Sequence, residues 1–125
     1  MYYLATQRPS NPVVITGDLH CSWVSDLKAD FNDASSETVG TEFVGTSITS
    51  GLGESYAELY KGHRDQNPHV KFFDERTGGY VRCDVTPEEW RTDMKLADSI
   101  KDPESPVRTF ASFVIEDGQP GAKQA

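Results

Sequence analysis

The stretch Val13-Val14-Ile15-Thr16-Gly17-Asp18-Leu19-His20 decides how this chain is read. Four β-branched residues in a row, with no polar alternation, read as a short buried strand. Gly17 ends the run, and Asp18 and His20 follow two residues apart. On an extended backbone, residues so spaced point the same way, which would bring a carboxylate and an imidazole to one place. That pair is the minimum of a half-site for a hard or borderline metal ion. The other reading is a polar turn in which Asp18 accepts hydrogen bonds from backbone amides.

Outward from this stretch, Pro9-Ser10-Asn11-Pro12 breaks regular structure, so residues 1–12 read as the tail of a helix or a loop. Residues 21–31 fit two readings. Trp23, Val24, Leu27 and Phe31 have the spacing of a helical face, and a twisted strand with a bulge fits them nearly as well. Residues 41–48 read as a strand, with Phe43 and Val44 supplying β propensity. Residues 54–64 form the best helix, with Tyr56, Leu59, Tyr60 and His63 along one side and Asn67-Pro68 ending it. Residues 70–73 and 79–86 flank residues 74–78 and read as a β-hairpin, with Gly78-Gly79 in its connection. Thr86-Pro87-Glu88-Glu89 has the residues of a capped helix start. Only a turn is expected there, because Trp90, Thr92, Met94 and Leu96 alternate as in a third strand. Residues 107–115 read as the last strand, and 118–125 as a flexible tail. The sum is α+β, a mostly antiparallel set of strands with one helix.

The chain has 125 residues, the size of a single domain. Its mean hydropathy of -0.57 and 36% hydrophobic content are low for a self-sufficient globule. Part of its buried surface is therefore expected to be completed by other protein. Formal net charge is -8, from 12 basic and 20 acidic residues, which disfavours nucleic acid or an anionic membrane as the main partner. The two cysteines, Cys21 and Cys83, make neither a disulfide framework nor a zinc knuckle. No apolar run has the length of a membrane span, and the first residues lack the pattern of a signal peptide.

Several blocks together resemble the C-terminal part of the PhoD-like alkaline phosphatases. They are residues 11–23 around Gly17-Asp18-Leu19-His20, residues 26–31, residues 41–50, Asn67-Pro68-His69-Val70-Lys71-Phe72-Phe73, Gly79-Tyr80-Val81-Arg82-Cys83 and residues 107–113. They run in the family's order through nearly the whole chain. The resemblance implies the C-terminal portion of a metallophosphoesterase-type αββα sandwich over residues 1–117, mostly antiparallel strands with one or two helices. It implies a hydrolase of phosphate monoesters, and also of diesters, that uses iron and calcium in the periplasm or outside the cell. Asp18 and His20 match the family's late Gly-Asp-x-His metal-site motif, each as a metal ligand or one as a phosphate contact. Such a metal centre polarises phosphoryl oxygens and provides a nucleophile near neutral pH.

Departures from the family pattern shape the expectation further. The early Asp, Gly-Asp and Asn-His blocks are missing, and with them the family's cysteine and tyrosine iron ligands. Cys21 stands where relatives carry a small residue, so it is not assigned as that ligand. The expected partners are therefore a phosphate ester and the preceding portion of the same enzyme, with Met1 a mis-placed start or a fragment edge. The chain alone is expected to lack turnover, to expose sheet edges and apolar surface, and to aggregate or remain partly unfolded. The alternative is a non-catalytic remnant or accessory piece of the same fold. Glu42, Trp23 and His69 are candidates for groups that support the metal ligands. Each also has a structural reading, as a strand-end cap, a core aromatic and a turn residue. Arg82 and Arg108, on alternating strands, are read as facing solvent.

Overall fold

The computed structural model describes residues 1–75 and 78–125. Eight strands are shared between two sheets. The first sheet holds β1 (Val13–Thr16), β2 (Ser22–Lys28), β3 (Thr38–Val44) and β4 (Val70–Asp74) in the order β1-β3-β2-β4. The second holds β5 (Gly79–Val85), β6 (Glu89–Ala97), β7 (Val107–Glu116) and β8 (Lys123–Gln124) in sequence order. All neighbours are antiparallel except β1 and β3, which run parallel. Two helices complete the described residues, α1 (Tyr2–Gln7) and α2 (Glu54–His63), the latter continued by a 3-10 turn at Arg64–Gln66. The class is α+β, as the sequence predicts.

Within residues 21–31, Ser22–Lys28 resolve as a strand with a register shift at Leu27/Lys28. The helix-like spacing there has a simple cause. β2 lies between β3 and β4 and is covered on both faces, so its apolar residues need not alternate. Val24 joins the core between the sheets, and Trp23, on the opposite face, meets Tyr60 of α2 at 5.2 Å between ring centroids.

Three sequence expectations are corrected. The hairpin expected across Gly78-Gly79 does not form: β4 pairs with β2 in one sheet, and β5 pairs with β6 in the other. Two alternating segments around a glycine look alike whether the chain folds back or crosses to a second layer. Arg76 and Thr77, inside that connection, lie outside the described residues. Gly79 starts β5 so close to β6 that an added Cβ would stand 2.0 Å from the Lys95 carbonyl oxygen. Second, β1 is not buried. It is an edge strand, with Val14 39% and Ile15 55% exposed. β-branching favours an extended backbone but does not specify what covers it. Third, residues 118–125 are not loose: β8 pairs with β7, and Ala122 is buried in the core. Gly121, at φ +108°, makes the bend that allows this.

The residues Thr86–Glu89 form the turn between β5 and β6 rather than a helix start. The Thr86 hydroxyl accepts the amides of Glu88 and Glu89 at 3.2 and 3.1 Å, so the capping chemistry serves a hairpin. Between the sheets, Val24 and Phe43 meet Met94, Ala111, Phe113 and Ile115, all buried. Phe113 is the hub, 5.7 Å from Phe72 and 6.5 Å from Phe43 between ring centroids. Burying side chains of this size stabilises by roughly 1.5–3 kcal/mol each.

Candidate functional site

β1 ends at Thr16, and residues 17–21 form a bend rather than an extension of the strand. Asp18 takes φ +73° and His20 φ +55°. Both are left-handed conformations that L-residues adopt at a cost of order 1 kcal/mol or more each, and such residues concentrate where chemistry is done. The same-side argument for an i, i+2 pair on a strand therefore does not apply here. Their placement is set by the loop, not by the pleat.

The loop is pinned at both ends. The Gly45 amide donates to the Thr16 carbonyl at 2.9 Å, and the Thr16 hydroxyl donates to Glu42 Oε1 at 3.2 Å. At the other end Cys21 is fully buried, and the Trp23 indole N–H donates to its sulfur at 2.8 Å. Burial pushes the Cys21 thiol above its ordinary value, with the Trp23 hydrogen bond opposing and nearby Glu75 reinforcing. A buried thiol of raised pKa is a poor nucleophile, and Cys21 acts as an anchor. Both cysteines are free.

Asp18 is exposed and His20 is half-buried. As a donor set, one carboxylate and one imidazole suit a hard or borderline cation. They do not close a site by themselves: among the described residues, no group of three His, Cys, Asp or Glu side chains could hold a metal ion. The residues present would fit such a group only together with further donors.

The three supporting candidates occupy a different place. Glu42, Trp23 and His69 all line a cleft of about 680 Å³ between α2 and the outer face of the first sheet. Gly17 and Leu19 line it too, whereas Asp18 and His20 do not. The loop thus forms one rim of the cleft through Gly17 and Leu19, while Asp18 and His20 stand outside the lining. Trp23 packs against Phe73 at 4.6 Å and Tyr60 at 5.2 Å, making an aromatic wall. His69 meets Phe31 edge-on at 4.9 Å, and its carbonyl accepts the Asp26 amide at 2.9 Å. Leu59, Tyr60 and His63 of α2, with Arg64 and Asn67 beyond it, complete the far side. The sequence marked the helical face of Leu59, Tyr60 and His63, and Asn67 as the end of the helix, but nothing in it marked them, or Arg64, as lining a cleft. Arg82 and Arg108 face solvent as read, paired with Asp84 at 2.7 Å and Asp98 at 2.8 Å.

Comparison with known proteins bears on what this arrangement belongs to. The family model described as PhoD-like phosphatase matches residues 1–94. Alkaline phosphatase D of Bacillus subtilis (strain 168) is 41% identical over 123 residues, covering 98% of this chain and 21% of that protein. A solved structure of PhoD superposes with a TM-score of 0.82 at 40% identity, over 98% of this chain and 24% of that one. The chain spans between a fifth and a quarter of the length of these relatives.

Proposed function

This chain belongs to the PhoD-like phosphatase family, and from that premise we propose that it supplies part of the metal centre of a phosphoric-ester hydrolase. Asp18 and His20 are the donors it contributes. The observation that carries the reading is the strained loop after β1, which holds a carboxylate and an imidazole in left-handed conformations between two pinned ends. The metals implied are iron and calcium, and the setting implied is periplasmic or extracellular. The substrates implied are phosphate monoesters, and diesters as well. A metal ion bound there supplies Lewis-acid stabilisation of phosphoryl charge. This chain's own part is positional: the Thr16–Glu42 hydrogen bond and the Cys21–Trp23 hydrogen bond fix the loop that carries the donors.

A second reading, a non-catalytic piece of the same fold, is favoured by one observation. The described residues offer two donors where a complete centre needs more. The two readings separate in a complementation experiment. The chain is mixed with the portion of Bacillus subtilis alkaline phosphatase D that precedes the matched segment, and aryl phosphate hydrolysis is followed with iron and calcium present. The first reading expects negligible turnover from either piece, hydrolysis from the mixture, and its loss by a factor on the order of 100 or more with Asp18→Asn. A mixture that hydrolyses equally well with Asp18→Asn and His20→Gln sinks the metal assignment.

A further inference from the structure

The cleft beside the Gly17–His20 loop is larger than a packing defect and is not used by the two metal donors. Its volume of about 680 Å³ lies in the range of small-molecule sites. Its lining has the composition of such a site: an aromatic wall and a few convergent polar groups. Trp23, Tyr60 and Phe73 line it side by side and meet one another by edge-on and tilted contacts. Glu42, Asn67 and His69 supply the polar groups. The Trp23 N–H is already committed to Cys21, so what the indole offers an occupant is apolar ring. Leu59 is 53% exposed although it lines the cleft, as expected of an apolar side chain waiting for a ligand rather than filling a core.

We propose that this cleft binds the organic part of the phosphate ester, and that it selects an aromatic alcohol. The assignment rests on the reading above, because the loop bearing Asp18 and His20 forms the cleft's rim through Gly17 and Leu19. An ester whose ring lies against Trp23 and Tyr60 then presents its phosphate end toward that loop. Aliphatic alcohols gain less from the same wall, since they have no ring quadrupole to pair with its edges.

The molecule contains its own control. It has two tryptophans: Trp23 in the cleft, and Trp90, which packs against the inter-sheet core with its N–H bound to Thr92 at 2.7 Å. The experiment is a titration of the metal-free chain with phenol, read from the two indole N–H resonances by NMR, and repeated with methanol and with inorganic phosphate. The expected result is a saturable shift of the Trp23 signal by phenol, with a dissociation constant on the order of millimolar. Trp90 stays still, and methanol has no effect. Leu59→Trp, an exposed position where a larger ring fills the cleft, should weaken phenol binding at least about tenfold, a loss typical of a blocked apolar subsite. An unmoved Trp23, equal movement of both tryptophans, or undiminished binding in the Leu59→Trp variant would overturn the proposal. An unmoved Trp23 would leave the cleft as a seat for other protein. The metal assignment is tested separately by the complementation experiment, so either idea can fail alone.

Discussion

The second sheet, β5 to β8, and the first, β1 to β4, each have four strands but differ in how they are completed. In the second, every strand pairs with its neighbour in sequence and its alternation is plain. β6 sends Thr92, Met94 and Leu96 inward, while Arg91, Asp93 and Lys95 form a charged ladder on the other face with Arg82 of β5. The first sheet is mixed, its order does not follow the sequence, and its edge strand β1 carries three apolar residues, Val13 to Ile15, yet is half open to solvent. A run such as Val13–Thr16 has the composition of a strand covered on both faces. The second sheet is self-contained, whereas the first has a sequence that anticipates more protein around it. The loop bearing Asp18 and His20 and the cleft both belong to the first sheet.

This contrast can be broken by substitution. Phe113→Ala removes the hub shared by the two sheets and should cost about 3–5 kcal/mol, read as a lowered urea midpoint. A loss below about 1 kcal/mol would mean that the sheets do not depend on a common core.

A smaller effect is expected on the charged face of the second sheet. The Ser112 hydroxyl, 2.7 Å from Asp93, holds that carboxyl below its ordinary range; partial burial opposes this, while Lys95, Arg82 and Arg91 reinforce it. A lowered folded-state pKa means that Asp93 stabilises the fold fully above the unfolded value. That contribution is lost as pH falls through the folded value, in a window below about pH 4. Asp93→Asn should cost roughly 1–3 kcal/mol at neutral pH. It should also flatten the acid limb of the stability curve. An unchanged acid limb in chemical denaturation series from pH 6 to 2.5 would remove Asp93 from that account.

The smallest effect on stability belongs to the exposed edge. Val14→Lys with Ile15→Lys should change the unfolding free energy by less than about 0.5 kcal/mol per site. The same pair should reduce self-association of the chain, followed by light scattering, because charges on an edge strand oppose further pairing. A cost comparable to Phe113→Ala would show β1 to be as fully packed as the core, and the contrast between the sheets would disappear.

Much of this was legible in the residues. β-branched and alternating runs placed six of the eight strands to within a few residues, because backbone propensity and pleat act over short distances; β2 stayed open between helix and strand, and β8 was read as a tail. Thr86-Pro87-Glu88-Glu89 announced its side-chain-to-backbone hydrogen bonds, and the Gly17-Asp18-Leu19-His20 string, with the blocks after it, pointed to the family. What the tertiary structure alone decided is everything that depends on distant neighbours. Whether β4 and β5 form a hairpin or cross between sheets depends on which partner strands are nearby, and β2 competes for β4. Whether Val14 and Ile15 are buried depends on what lies over them. The left-handed turns at Asp18 and His20 exist because hydrogen bonds from Gly45, Trp23 and Thr16 hold the loop from outside it. The cleft, in turn, is the gap left between α2 and a sheet whose residues are far apart in the chain, so no local pattern could have spelled it.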